Sequence, residues 1–217
     1  MLIRSLPEPT PRPELLDILW PFLSAFQGSP AEEYMNRRGI PTELAERYAI
    51  GYAGPGDWPG RPWSEGRIVF PHFMPGSEIV NLYGRAIELH EKAPKQLRHD
   101  HLSGPKGWFN CGATSGAYHG QVFICEGPFD ALSLIAAGHT RSLAIFGLEG
   151  LRWSWLRDVQ EIVFAFDSDM AGREKVSEVC RAGAFRGKTV RFLDAEDLGK
   201  HKDVNEAWIA GDLCIRE

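Results

Sequence analysis

The sequence predicts an α/β fold: a mostly parallel sheet with flanking helices, preceded by a smaller mixed α+β subdomain. Three observations predict it. From Gln121 onward, short apolar runs alternate with helical stretches, as in a parallel sheet covered by helices. Two of those runs, in Val122–Asp130 and Ile162–Asp169, carry the signature of buried strands and end abruptly in carboxylates. Upstream, strand candidates are separated by turn signals, and the stretch is rich in Gly, Pro and Trp.

At 217 residues the chain can hold one large domain or two small ones. The expected divisions are an N-terminal arm and helix over 1–28, the α+β subdomain over 29–118 and the parallel-sheet domain over 119–217. No run of about 18 apolar residues occurs, so no membrane span is expected. No basic segment followed by an apolar core opens the chain, so no secretory signal is expected either. Cys111, Cys125, Cys180 and Cys214 are scattered singly, without a Cys-x-x-Cys pair. They read as reduced cytoplasmic thiols, with no zinc expected. The net charge is −5, yet residues 61–107 carry 7 basic and 5 acidic residues while both flanking segments are net acidic. A modest basic surface facing an acidic metal edge suits a phosphate-bearing polymer.

In chain order, residues 1–13 hold four prolines and form an irregular arm. Glu14–Phe26 has the apolar content of a helix, which Pro21 is expected to break or kink. Ser29-Pro30-Ala31-Glu32 is a helix start, with Ser as N-cap and Pro at the first position. That helix stops at Gly39, and a second runs from Pro41-Thr42 to Tyr48. Strands are expected over Arg67–His72 and Glu78–Ile87, joined by the turn Met-Pro-Gly-Ser, then a loop over Lys92–Lys106 and a short strand at Trp108-Phe109-Asn110. The later pattern is strand Val122–Cys125, helix Phe129–Ala137, strands Ser142–Phe146 and Ile162–Phe166, helix Ala171–Ala184, strand Thr189–Leu193 and helix Asn205–Ala210.

In open parallel sheets, ligands sit beyond the carboxyl ends of the strands. Glu126, Asp167 and Asp169 are then expected at one edge, where three carboxylates repel one another unless a cation lies between them. Asp167 and Asp169, two apart, point the same way in extended chain. This is a seat for Mg²⁺, which shares itself between carboxylates and substrate phosphates, and it indicates metal-dependent phosphate chemistry. Simpler structural roles compete. Asp167-Ser-Asp169 could cap a helix, Asp130 could be an ordinary first-turn acid, and Asp203 or Asn205 could cap the last helix. His99-Asp-His101 lacks a third ligand at a convincing spacing and reads as solvated loop, while the Trp and Phe residues of 54–110 could stack on bases but read mainly as packing for a small half-domain.

The residues Glu126-Gly127-x-x-Asp130 and Asp167-x-Asp169-x-Ala171-Gly172-Arg173 resemble the Toprim domain of bacterial primases, topoisomerases and some nucleases. Upstream, Tyr34-x-x-x-Arg38-Gly39-Ile40, Ile50-Gly51, Arg67-Ile68-Val69-Phe70-Pro71, Gly84-Arg85-Ala86 and Pro94-Lys95-Gln96-Leu97 resemble, in order, segments of the DnaG-type primase core. The likeness covers roughly Pro30 to Gly211. It implies a Toprim-type sheet preceded by a primase N-terminal subdomain. It also implies Glu126 as an acid–base or metal-linked glutamate and Asp167, Asp169 and Asp203 as ligands of Mg²⁺ or Mn²⁺. Lys202-Asp203-Val204-Asn205-Glu206 resembles the family's Lys-Asp-x-Asp motif, with Asn205 in place of the second carboxylate and Glu206 as a possible compensation. Arg85 and Lys95 resemble positions that contact template or nucleotide phosphates. Arg67 and Lys106 are looser candidates, and Arg173 is a candidate for holding phosphate near the acidic edge.

The resemblance implies synthesis of short RNA primers from ribonucleoside triphosphates on a single-stranded DNA template, in the setting of a phage, plasmid or other mobile element. The family's zinc-binding module and helicase-linked domain are not found in the sequence, so the chain is expected to be either a fragment or a small protein working with a separate helicase or zinc-binding module. The alternatives are a single-stranded nucleic-acid-binding Toprim module without independent activity, and a Toprim nuclease.

Overall fold

The structure, a computed structural model, describes residues 7–87, 94–115, 121–166, 178–179, 181–184 and 186–216. The chain forms two compact units, one of Pro7–Phe109 and one that runs from Asn110 to the C-terminus.

In the first unit, helices α1 (Leu15–Ser24), α2 (Pro30–Arg37) and α3 (Glu43–Arg47) precede an antiparallel sheet. Its strands β1 (Gly51–Ala53), β2 (Arg67–Met74), β3 (Glu78–Ala86) and β4 (His99–His101) lie in sequence order, with the one-turn helix α4 (Lys95–Arg98) leading into β4. The start of α2 is as the sequence predicts: Ser29 accepts from the backbone of Ala31 and Glu32, and Pro30 stands at the first position. Helix α1 differs from expectation, because it runs unbroken through Pro21. Leu15, Leu19 and Phe22 bury one face into a core with Trp58, Val69 and Leu82. Each such side chain contributes about 1.5–3 kcal/mol over exposure, which outweighs the one helical bond Pro21 cannot donate. Pro71 is tolerated within β2 because β1 pairs only Arg67–Val69.

The loop expected over Lys92–Lys106 contains both α4 and the edge strand β4, and Tyr83, Gly84 and Arg85 pair with His101, Asp100 and His99. A polar His-Asp-His triplet has no apolar alternation to announce a strand. In place of the strand expected at Trp108–Asn110, an isolated antiparallel bridge joins Phe73 and Trp108. Gly107 permits it, since a Cβ there would lie 2.3 Å from the Phe73 carbonyl oxygen.

In the second unit, β5 (Val122–Cys125), β6 (Ser142–Ala144), β7 (Glu161–Ala165) and β8 (Thr189–Phe192) form an all-parallel sheet in the order β6-β5-β7-β8. Strand β5 is buried throughout and β7 nearly so, as apolar runs flanked by crossovers require. Helix α5 (Pro128–Ala136) follows β5. Residues 178–179 and 181–184 are helical. Helix α6 (Ala195–Leu198), absent from the sequence reading, is fixed by a capping box in which Asp194 and Asp197 each accept from the other's backbone. Helix α7 (Val204–Ala210) closes the unit and packs on α5.

Candidate metal edge and cationic cluster

The functional candidates fall on two places, one in each unit. The first is the carboxyl edge of the parallel sheet. Cys125 and Ala165 are paired across β5 and β7. Glu126 and Phe166 are the next residues along the chain beyond this last pair. The Glu126 carbonyl accepts from Gly147 N at 3.2 Å, where the exit of β6 turns sharply through positive φ at Phe146 and Gly147. Phe166 is packed against Phe164 and Phe192, with ring centroids 4.9 and 6.1 Å away. Asp167, Asp169 and Arg173 follow in sequence and lie outside the described residues. Among the described residues, no group of three or more His, Cys, Asp or Glu side chains is placed to hold a metal ion.

The other acidic candidates are brought together at the α5–α7 contact. Asp130, in the first turn of α5, accepts from the backbone N–H of Asn205 at 3.2 Å. Asn205 is 1% exposed and donates its side-chain amide to Ser133 Oγ at 2.9 Å, and Ser133 donates to the Phe129 carbonyl. Asp203 is the N-cap of α7 and accepts from Glu206 N at 2.8 Å. Lys202 Nζ lies 3.4 Å from Glu206 and 3.9 Å from Asp203. These bonds join α7 to α5 and terminate α7, the capping role that the sequence also allows. The buried Cys125 thiol is pushed well above its ordinary pKa by burial and then by the Asp130 carboxylate, so it behaves as an inert apolar group.

The second place is the end of the antiparallel sheet where β2 begins, β3 ends and α4 enters β4. Arg67 is 5% exposed and donates to the carbonyls of Gly84 at 3.1 Å and Leu97 at 3.0 Å, with Trp58 beside it. Gly84 allows this packing: a Cβ would lie 3.0 Å from both Arg67 and Trp58. Arg67 therefore braces α4 against β3, and burial lowers its pKa. Arg85 is half-buried, its guanidinium bonded to His99 Nε2. The Nε atoms of Arg67 and Arg85 are buried without a hydrogen-bond partner among the described residues.

Arg85 can only donate, so His99 Nε2 is the acceptor and its Nδ1–H faces Tyr83 Oη at 2.6 Å. Burial, then Arg85, Arg98, Lys95 and Arg67, push His99 down to about 3, which keeps the ring neutral. Next to it, the Gly107 carbonyl fixes the proton of His72 on Nδ1, at 3.1 Å. His72 Nε2 is then the acceptor for His101 Nδ1 at 3.3 Å. Burial holds His72 well below the ordinary histidine range, and burial followed by Lys106 holds His101 at about 3. The solvated-loop reading of His99–His101 is thus corrected: both rings are half-buried on one face of an edge strand. Lys95 and Lys106 are exposed. The sequence reading missed Arg61 and Arg98 as members of this cluster, and the i, i+2 spacing of His99 and His101 was the available signal for a shared face.

These observations define an α/β protein whose second unit carries an acidic strand end. Residues 121–212 match the family model for the Toprim domain. No curated protein matches the sequence significantly. The fold of the chain as a whole is that of DnaG-type primase catalytic cores. The zinc-binding and RNA polymerase domains of the Aquifex aeolicus primase match with a TM-score of 0.69 and 18% identity, over 91% of this chain and 57% of that one. A DNA primase domain from Pseudomonas aeruginosa matches at 0.68 and 20% identity, over 91% and 74%. A DnaG primase catalytic domain bound to single-stranded DNA matches at 0.67 and 18%, over 89% and 72%. The chain thus spans little more than half of the Aquifex aeolicus chain.

Proposed function

We propose that this chain is the polymerising core of a primase, of the kind carried by phages, plasmids and other mobile elements. It joins ribonucleotides into short primers on a single-stranded DNA template in the cytoplasm. The observation that carries this reading is the extent of the likeness. It spans 89–91% of the chain, including the antiparallel unit as well as the Toprim unit, in the three structures described. A Toprim nuclease shares only the second unit's motifs, so it does not account for the first.

In this reading Glu126 serves as the acid–base or metal-linked group, and Asp167, Asp169 and Asp203 hold Mg²⁺ or Mn²⁺. Hard carboxylate oxygens suit these ions. Asp203 is already a helix cap, so one of its oxygens remains committed to Glu206 N. The cation supplies charge neutralisation and alignment for phosphoryl transfer. Asp130, Asn205 and Glu206 support the edge through the α5–α7 contact. Arg85 and Lys95 hold phosphates of template or nucleotide, with Arg67 bracing behind them; Lys106 and Arg173 are further cationic contacts. A separate helicase or zinc-binding module supplies initiation.

The test is template-dependent ribonucleotide incorporation on single-stranded DNA with Mg²⁺ or Mn²⁺, with and without a preformed primer, for the intact chain and Asp167→Ala. Metal-dependent extension lost in the variant is the expected result. Binding without extension would replace the proposal with a binding module, and template cleavage would replace it with a nuclease.

A further inference from the structure

The aromatic residues of the Gly/Pro/Trp-rich loop do not all pack inward. Trp58 is 2% exposed, whereas Trp63 is 88% exposed. A single exposed indole is ordinary on a protein surface, and its amphipathic ring is set up for a contact only where the backbone beneath it is held in place. The backbone here is held. Ser64 N donates to Arg61 O at 2.9 Å, closing a turn with Pro62 and Trp63 at its centre, and Gly56 N donates to Ser64 O at 2.9 Å. The turn is tied to the sheet through Asp100, which accepts from Arg61 Nε at 2.9 Å and from Trp58 Nε1 at 3.2 Å. Trp63 thus stands on a pinned turn, within about 7 Å of Arg61 along the chain.

The surroundings are cationic. Asp100 faces Gly84 across the β3–β4 register, beside Arg85 and His99. Arg85, Arg98, Lys95 and Arg67 all act on His99, and Arg61 acts on Arg67. Among the described residues, these five cations stand against three carboxylates: Asp100, Glu65 and Asp57 of the same loop. Asp100 is already taken up by Arg61 and Trp58. An exposed aromatic plane beside surplus positive charge is the combination that single-stranded nucleic acid meets: cations track the phosphates while the ring stacks on a base.

We propose that Trp63 is a base-stacking platform for single-stranded nucleic acid, working beside the cations of the α4–β4 corner. The inference rests on the template-handling role given to that corner above and adds a contact on the base side. Stacking on any base tolerates sequence, so the contact holds a strand without reading it.

The test is equilibrium binding of a labelled oligothymidylate of about 12 nucleotides, within the usual site-size range. It is read by fluorescence anisotropy across a salt series. Trp63→Ala lowers affinity about 5- to 150-fold and leaves the slope of log K against log salt unchanged. Trp63→Phe retains most of the affinity. Lys95→Ala flattens the slope by about 0.7, as expected for one lost phosphate contact on a single strand. On an abasic sugar–phosphate strand, wild type and Trp63→Ala bind alike. Trp20→Ala, on α1 with 70% exposure and no basic residue in that helix, changes nothing. Equal affinity of wild type and Trp63→Ala for the oligothymidylate overturns the inference and leaves the proposed function standing. An equal loss on the abasic strand also overturns it, by assigning Trp63 to the shape of the loop. If wild type binds no single strand at all, the template-handling role falls together with the inference.

Discussion

Replacing Asn205 by Asp restores the carboxylate of the Lys-Asp-x-Asp pattern, and the structure predicts that the change harms the protein. Asn205 is 1% exposed, its amide donates to Ser133 Oγ at 2.9 Å, and its backbone N–H is held by Asp130. The Asn205→Asp variant loses that donor and places a second carboxylate close to Asp130. One lost hydrogen bond costs about 1 kcal/mol, and a poorly paired buried charge costs about 3 kcal/mol or more. Together they lower the urea midpoint by about 2 M or more for a slope near 2 kcal/mol per M. The sign with pH follows from linkage. The variant's carboxyl is easier to ionise when unfolded, so the folded state binds more protons and the deficit grows as pH rises. Towards pH 4 the protonated acid can donate to Ser133, and most of the loss returns. Urea titrations of both proteins at pH 4.5 and pH 7.5, with and without Mg²⁺, read all of this. A variant as stable as wild type at pH 7.5, and stabilised more strongly by Mg²⁺, would refute the reasoning and make position 205 a metal position.

Further outcomes follow from other contacts. The neutral rings of His72, His99 and His101 have pKa values held below the ordinary 6.5. The unfolded chain therefore binds more protons between about pH 6.5 and 3. The stability that the neutral rings confer is complete above pH 6.5 and is lost as pH falls below it; urea midpoints from pH 7.5 to 4.5 show the decline, and His72→Asn combined with His101→Asn flattens it. Gly107→Ala drives a Cβ to 2.3 Å from the Phe73 carbonyl oxygen; it costs about 2–3 kcal/mol through strain, measured by thermal melting. Ser29→Ala removes the cap of α2 and costs about 1 kcal/mol in urea. Arg67→Lys cannot reach both the Gly84 and Leu97 carbonyls as a fork; it loses about 1–2 kcal/mol and accelerates proteolysis at the α4 segment.

Strong local chemistry made much of this readable. Apolar runs bounded by Gly and Pro identified β5 and β7, and Ser29-Pro30 identified the start of α2. Glu126 at a strand end followed from the same pattern. Tertiary context decided what could not be read. Pro21 sits inside α1 because three buried side chains outweigh one missing donor. His-Asp-His reads as solvated until Tyr83 and Arg85 are placed opposite it. Arg67 looks like a surface cation in sequence, yet two distant carbonyls and an indole enclose it. Asn205 shows a departure from the motif in sequence, and only its contact with Ser133 shows what the amide does.

The strand orders also set a timetable for the chain as it acquires structure. Strands β2 and β3 meet through a short turn and can zip together as soon as both exist, because little chain must be closed into a loop. Strand β5 has no such local partner. It must wait for β6 and then β7, each parallel to it and each separated from it by an intervening segment, while β8 arrives later still. During synthesis the antiparallel unit can therefore mature first, and β5 spends the longest time as an apolar strand with open edges. Mutations that slow the second unit are expected to act through aggregation at β5, which makes growth temperature and chaperone supply the practical controls on the yield of active protein.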